Sequence, residues 1–229
     1  MHDTYDLTLA AAAVRGHAIR CGCPLPDDLA RVPLEQLSPA QQEALFRIGQ
    51  QREIPLYRFK RGHEELPRVR AVLGTLKNIY PESLVDVGSG RGVFLFPFLD
   101  AFPWCQVTSL DVLPHRVEFL EDIRSGGVER LRPMSADICA GDLPEKSADV
   151  VTMLEVLEHI PDVQRAVSQA VRLARRFVVV SVPSKPDNNP EHIHLLTKDR
   201  LTQLFANAGC TRLRFSGVNG HLILVAAVE

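Results

Sequence analysis

From Ser83 onward, short runs of apolar and β-branched residues alternate with helical patterns, and this alternation limits the possible folds more than any other feature of the sequence. The main runs are SLVDVG, QVTSLDV, DVVTML and RFVVVSVP. They are nearly continuous in apolar residues, as in strands that helices cover on both faces. A shorter run, LRPMSADI, predicts a third strand that ends at Asp137. The pattern predicts an α/β fold with a doubly wound, mostly parallel sheet.

The last two apolar runs, TRLRFSG and HLILVAAV, are separated by Val218, Asn219 and Gly220. A short connection that contains Asn-Gly favours an antiparallel hairpin. Five parallel strands closed by this edge hairpin predict a seven-stranded, Rossmann-like sheet.

The first 80 residues have a different character, because six prolines at positions 24, 26, 33, 39, 55 and 67 divide them into short pieces. One piece, Pro39 to Gln51, has a helical pattern. We therefore expect residues 1–80 to form a helical N-terminal cap over one end of the sheet, and residues 81–229 to form the main domain. The locally basic stretch from Arg52 to Arg70 is interpreted as a solvated helix face rather than a phosphate or RNA groove.

The composition of the chain restricts the classes of molecule that it is expected to bind and its expected location. The formal net charge of −2 gives no overall case for nucleic acid or an anionic membrane. No stretch approaches the roughly 20 apolar residues that span a bilayer. Five scattered cysteines do not suggest a disulfide framework, so we expect a reducing, cytoplasmic location. A small-molecule substrate is favoured, and the oligomeric state is not readable.

The strongest local signal is the sequence VDVGSGRG at positions 85–92, where a buried strand runs into a glycine-rich turn before the helix-like segment 93–102. Glycines there let the backbone turn sharply and approach a ligand closely. The pattern alone is also compatible with a nicotinamide or flavin nucleotide.

Three acidic residues near the strand ends narrow the choice of ligand. Asp86 precedes the glycines, where its carboxylate can bond the turn or meet a cationic amino group, but would repel a pyrophosphate. Asp111 lies 25 residues later at the end of the second strand, where it can hold both hydroxyls of a ribose. Asp137 and Ile138 can pair with an adenine amino group and cover its ring.

Together, D-x-G-S-G-x-G, the strand-terminal Asp111, S-A-D-I and D-V-V-T-M-L-E-V-L-E-H-I resemble the class I S-adenosylmethionine-dependent methyltransferases. The resemblance covers residues 83 to the C-terminus. It implies that Gly88 and Gly90 contact the methionine portion, that Asp111 holds the ribose, and that Asp137 and Ile138 hold the adenine. The predicted cofactor-binding set is completed by Asp86, Ser89, Val112 and Leu154.

The segment Glu155-Val156-Leu157-Glu158-His159 supplies candidates for catalysis. On a helical turn, its spacing would place two carboxylates and an imidazole on one face, a donor set that suits Mg²⁺, Mn²⁺ or Fe²⁺. This E-x-x-E-H resembles the metal motif of ubiquinone-pathway and small-RNA O-methyltransferases, in which a metal would activate the acceptor hydroxyl. The same letters also occur in class I methyltransferases without a known metal, so both interpretations stay open.

The loop at positions 183–194 is rich in proline and asparagine and follows the fifth strand, where it would overhang the site. It carries His192 and His194, each a candidate general base, and His192 is also a candidate metal ligand. A packing role ahead of a helix at Thr197 is the alternative. The predicted catalytic residues are Glu155, His159, His192 and His194, and the predicted metal ligands are Glu155, Glu158, His159 and His192.

The sequence thus predicts an S-adenosylmethionine-dependent methyltransferase that acts on a small molecule, with transfer to oxygen favoured. Three alternatives remain: a metal-assisted RNA ribose methyltransferase, a nicotinamide-nucleotide oxidoreductase, and a non-catalytic scaffold of the same fold.

Overall fold

A computed structural model describes residues 4–186 and 188–228, and its centre is a seven-stranded sheet with the strand order β3-β2-β1-β4-β5-β7-β6. The first five strands are parallel, and the last two pair antiparallel at one edge. The predicted fold is therefore confirmed. The strands are β1 Ser83–Val87, β2 Gln106–Asp111, β3 Leu131–Ser135, β4 Ala148–Leu154, β5 Ala174–Pro183, β6 Arg212–Val218 and β7 His221–Ala227.

Eight α-helices flank this sheet in the described part of the chain. They are α1 Leu7–Cys21, α2 Asp27–Ala30, α3 Pro39–Gln51, α4 Pro67–Ile79, α5 Leu95–Ala101, α6 Pro114–Ser125, α7 Val163–Leu173 and α8 Lys198–Asn207. The predicted helix at Pro39 to Gln51 is found with the same bounds, because Ser38 caps it in a reciprocal capping box with Gln41. Thr197 caps α8 by accepting a hydrogen bond from the Arg200 amide.

The strand order reverses between β1 and β4, since the chain proceeds outward to β3 on one side and to β5 on the other. In open α/β sheets, ligands bind at such a reversal, beyond the carboxyl ends of the strands. The glycine turn after β1 and the Glu155–His159 segment after β4 both lie at this point.

Two local predictions need correction. The third strand ends at Ser135, and Asp137 instead caps a 3₁₀ turn, Ile138–Ala140, by accepting from the Cys139 amide at 2.8 Å. The basic stretch before Pro67 is not a helix face, because it contains two separate 3₁₀ turns, Leu56–Phe59 and His63–Glu65.

Helix α1 lies deep in the protein, since all of its residues from Ala10 to Val14 are fully buried. It approaches α6 so closely that a Cβ on Gly16 would lie 1.7 Å from the Asp122 carbonyl oxygen. A single hydrophobic cluster joins α1, α3 and α4 to residues of β1, β2, α5 and α6. The helical region is thus part of the main core, and the boundary at residue 80 stays a prediction.

No helix within residues 4–186 and 188–228 is long and apolar enough to cross a membrane. The five cysteines carry free thiols, and a cytoplasmic location stays a prediction.

Candidate functional site

The glycine turn after β1 is held in a conformation that suits glycine. Gly88 and Gly90 have φ values of 69° and 59°, in the left-handed region that other residues adopt at a cost. The Gly88 amide donates to the Leu110 carbonyl oxygen at 2.7 Å. This hydrogen bond anchors the turn to the end of β2. The backbone of the turn therefore lies at the carboxyl ends of the strands.

Asp86 forms a buried polar network beneath this turn. One carboxylate oxygen accepts from the Ser89 hydroxyl at 2.6 Å and the other from Thr152 at 2.7 Å. The Ser89 hydroxyl also lies 2.6 Å from that of Ser109. Burial raises the pKa of Asp86 to about 6, against the opposing effect of its two hydroxyl donors. Of the two predicted uses of Asp86, the structure shows the first, which is to bond the turn.

Asp111 is fixed at the end of β2 by the backbone. Its two oxygens accept from the amides of Gly90 and Leu113, each at 3.0 Å. Arg116 also approaches the carboxylate, at 3.5 Å. Because a carboxylate oxygen can accept two hydrogen bonds, this arrangement orients Asp111 and leaves capacity for a ligand hydroxyl.

A cavity of about 600 Å³ opens at the carboxyl ends of the central strands, within the size range of small-molecule sites. All nine residues of the predicted cofactor-binding set line it, together with Glu155 and His159. The nine are Asp86, Gly88, Ser89, Gly90, Asp111, Val112, Asp137, Ile138 and Leu154. The nine predicted residues therefore lie around one cavity, and their role in cofactor binding stays a prediction.

Helix α4 supplies a wall of this cavity that the sequence did not predict. Arg68, Val69 and Val72 line the cavity from the first turns of this helix. Their only sequence signal was the excess of basic residues between positions 52 and 70, which did not distinguish Arg68 from its neighbours. Arg68 brings a positive charge into a cavity whose strand ends are acidic.

Glu155 follows β4 in a strained conformation, with a φ of 56°. Its carboxylate accepts from the Ser181 hydroxyl at 2.6 Å, and its other oxygen lies 3.2 Å from Nε2 of His221. His221 begins β7, far from Glu155 in sequence, so no local motif could have revealed this partner.

The expected single helical face for Glu155, Glu158 and His159 is wrong. The left-handed backbone at Glu155 interrupts any helix, and a 3₁₀ turn begins only at Leu157. Glu158 and His159 instead cluster with His192, and their ligand atoms lie within 4.8 Å of one another. Glu155 lies outside this cluster and bonds with Ser181 and His221.

The loop after β5 contributes both of its histidines to the same neighbourhood. The ring of His192 contacts that of His159 edge to face, with centroids 4.8 Å apart. His194 places Nε2 3.1 Å from the Ile160 carbonyl oxygen. Neither His192 nor His194 is among the residues that line the cavity, whereas His159 is.

His159 is oriented by the backbone of this loop, because its Nδ1 lies 2.9 Å from the Glu191 carbonyl oxygen. A carbonyl oxygen only accepts, so the bond places a proton on Nδ1 and leaves Nε2 as the basic nitrogen of the neutral ring.

Comparison with known proteins agrees with this geometry. A family model described as a methyltransferase domain matches residues 57–214, which is most of the chain. The chain belongs to this methyltransferase family. The assignment overturns the alternative of a nicotinamide-nucleotide oxidoreductase and supports a class I, S-adenosylmethionine-dependent enzyme.

The methyltransferase is similar in sequence to a ubiquinone biosynthesis O-methyltransferase from Pseudomonas putida (strain GB-1), with 30% identity over 119 residues. That alignment covers 51% of this chain and 50% of the relative. The chain thus spans about half the length of the curated relatives that it matches.

Solved structures share its fold at low identity. A SAM-dependent methyltransferase from Aquifex aeolicus has a TM-score of 0.59 and 17% identity, over 73% of this chain and 93% of that one. Magnesium protoporphyrin IX methyltransferase from Synechocystis, with bound S-adenosylhomocysteine (SAH), has a TM-score of 0.55 and 17% identity, over 85% of this chain and 89% of that one.

Proposed function

We propose that this methyltransferase transfers a methyl group from S-adenosylmethionine to an oxygen atom of a small molecule. The observation that carries the proposal is that the glycine turn, Asp111 and His159 line one cavity of about 600 Å³. The similarity to ubiquinone biosynthesis O-methyltransferases supports oxygen as the acceptor. The net charge of −2 favours a small acceptor over RNA.

The donor set fits the cofactor. Asp111 would accept from the ribose hydroxyls, Asp137 would pair with the adenine amino group, and Val112 and Ile138 would cover the ring. Val112 is 61% exposed at the cavity, as expected of an apolar side chain that a planar ligand covers. Arg68 would pair with the methionine carboxylate. The bound cofactor supplies an activated methyl group on a sulfonium.

His159 is the general base that we propose for an acceptor hydroxyl. Its Nδ1 is engaged with Glu191, so Nε2 is the nitrogen able to take a proton. Glu155 is less suited to this step, because its two carboxylate oxygens already contact the Ser181 hydroxyl and Nε2 of His221. Glu155 would instead hold negative charge near the sulfonium.

The proposal is tested with SAH and a simple acceptor. We expect SAH to raise the thermal midpoint of the parent, and Asp111→Ala to reduce that rise. With labelled S-adenosylmethionine and 3,4-dihydroxybenzoate as a catechol probe, His159→Gln should lower kcat by about 100-fold or more while SAH binding is kept. Asp28→Asn, at an exposed position outside the cavity, is the control for a substitution away from the site. Absence of any SAH effect on the parent would favour the scaffold alternative.

A second candidate is metal-assisted transfer at Glu158, His159 and His192, favoured by their clustering within 4.8 Å. A carboxylate and two imidazoles fit Mn²⁺ or Fe²⁺ better than Mg²⁺, which prefers oxygen ligands. A bound ion would lower the pKa of an acceptor hydroxyl. Glu155, also expected as a ligand, would join only after releasing Ser181 and His221.

Thermal midpoints with Mn²⁺ or EDTA separate the two mechanisms. A metal site predicts a rise with Mn²⁺ that His192→Asn removes and His194→Asn, two residues along the same loop, retains. A midpoint that ignores Mn²⁺ would support the general-base mechanism. For the RNA ribose alternative, a labelled oligonucleotide titrated across a salt series should show a steep loss of affinity.

A further inference from the structure

A second cavity, of about 370 Å³, lies on a different face of α4 from the cofactor cavity. Arg68, Val69 and Val72 of this helix line the cofactor cavity, whereas Arg70, Leu73, Gly74 and Lys77 line the second cavity. Its other walls are the segment 58–64, the capping residue Asp6 of α1, and α5 from Phe96 to Ala101. No residue of the proposed methyl-transfer site lines it.

The floor of the second cavity is apolar. Phe59, Leu73 and Phe96 are buried side chains among its lining residues. The space beside Gly74 is open, since a Cβ at that position would meet nothing within 4 Å. A larger side chain at this position would therefore occupy part of the cavity.

The rim of the same cavity is basic. Five Lys or Arg side chains line it against three acidic ones. The basic residues are Arg58, Lys60, Arg61, Arg70 and Lys77, and the acidic residues are Asp6, Glu64 and Asp100.

The three acids already have partners within the protein. Asp6 accepts from the Leu9 amide at 3.0 Å to cap α1, and Glu64 accepts from the Gly62 amide at 2.9 Å. Asp100 lies 3.5 Å from Arg61. Each of the three carboxylates therefore has a contact within the protein.

Several of the cations lack such partners. Among the described residues, Arg70 and Lys77 form no ion pair, and they lie seven residues apart on one face of α4. The Arg58 guanidinium stacks 4.5 Å from the Phe119 ring centroid and forms no ion pair among the described residues.

We infer that this cavity binds a small anionic ligand with an apolar body, such as an aryl phosphate or carboxylate. The anion would be held by Arg70, Lys77 and Arg58, and the apolar body would lie on Phe59 and Phe96. The volume of about 370 Å³ and the apolar floor suit a small molecule better than a nucleic-acid backbone, which needs a long basic groove.

Phenyl phosphate is the probe, titrated by ligand-observed NMR with and without saturating SAH. We expect binding to the parent in both conditions, and at least about tenfold weaker binding of phenol and of inorganic phosphate. Arg70→Gln should weaken phenyl phosphate binding about tenfold, the usual loss for one hydrogen bond to a charged group. Arg132→Gln, the same change at an exposed position of strand β3, should leave the Kd unchanged.

Gly74→Leu should abolish binding by filling the cavity, and Gly74→Ala should weaken it less. Thermal midpoints of both variants verify folding, and Arg70→Gln tests the site without changing the shape of the helix. The inference is overturned if the parent does not bind phenyl phosphate, if SAH displaces it, or if Gly74→Leu and Arg70→Gln bind as the parent does. None of these readouts uses methyl transfer, so failure of the proposed function would remain distinguishable.

Discussion

The helical region before residue 80 and the sheet region after it differ in how they build the site. The sheet region places Asp86, Asp111 and Glu155 at or near strand ends, where backbone amides hold the carboxylate of Asp111 and side chains hold those of the other two. The helical region supplies a wall through α4 and fills the core through α1. A region without a recognisable motif is here as integral to the cofactor cavity and core as the region that carries every motif.

The largest expected effect is that of Gly16→Ala in α1, which tests whether the helical region is part of the main core. A Cβ at Gly16 would lie 1.7 Å from the Asp122 carbonyl oxygen, so α1 and α6 must separate. We expect a loss of about 3 kcal/mol or more in the free energy of unfolding, at the upper end of overpacking costs. Urea denaturation measures it.

Gly74→Ala is the matched control, because it makes the same change in helix α4 where the added Cβ meets nothing within 4 Å. It should stabilise the protein by about 0.5–1 kcal/mol through helix propensity. If both variants unfolded at the parent's urea midpoint, α1 would be a detachable cap, and the integration of the two regions would be wrong.

The sequence predicted the sheet region well because its signals are local. A buried strand needs a continuous apolar run, and a sharp turn needs Gly88 and Gly90, so each element is written in a few adjacent residues. The same logic located the nine cofactor-binding candidates at one edge of the sheet, since carboxyl ends of parallel strands meet there.

The sequence-based predictions failed for features that depend on contacts between residues far apart in the sequence. The bonds from Glu155 to Ser181 and His221 cross three strands, and they accompany a left-handed backbone that no helical spacing anticipates. The second wall of the cavity comes from α4, whose Arg68 carries no signal that separates it from Arg70. One faces the cofactor cavity and the other the second cavity.

Asp86 tests the buried network of the sheet region through pH. Burial raises its pKa to about 6, so between about pH 4 and 6 the folded state holds a proton that the unfolded state has released. Stability from this group is therefore present at low pH and lost as the pH rises to about 6, by at most about 3 kcal/mol. Above that range it makes no further change.

Urea denaturation between pH 4.5 and 7.5 should show this as a difference between the parent and Asp86→Asn. The stability of the parent relative to the variant should fall as the pH rises to about 6 and then level off. Asp28→Asn, at an exposed position, controls for loss of a carboxylate. Parallel curves for the parent and Asp86→Asn would show that the network leaves the proton affinity of Asp86 unchanged.

Arg68→Gln tests the contribution of the helical region to the cofactor cavity. Loss of one ion pair with the methionine carboxylate should weaken SAH binding by about tenfold, as measured by calorimetry. Arg70→Gln is the matched control, because it removes the same charge two residues along α4 on the face of the second cavity. Equal affinities for SAH in the two variants would remove Arg68 from the proposed cofactor site.

The smallest expected effect is at the edge hairpin, where Asn219 and Gly220 form the turn with φ values of 39° and 83°. Asn219→Ala should cost about 1 kcal/mol, because alanine tolerates positive φ less well than asparagine. SAH affinity should stay unchanged, since Asn219 does not line the cavity.

Arg68→Gln and Asn219→Ala together compare the two regions by their effects on cofactor binding and on stability. Arg68→Gln, in the helical region, would weaken cofactor binding without lowering the stability of the fold. Asn219→Ala, in the sheet region, would lower stability without weakening cofactor binding. A fall in SAH affinity for Asn219→Ala would instead indicate that His221, which follows the turn and contacts Glu155, transmits the geometry of the hairpin to the site.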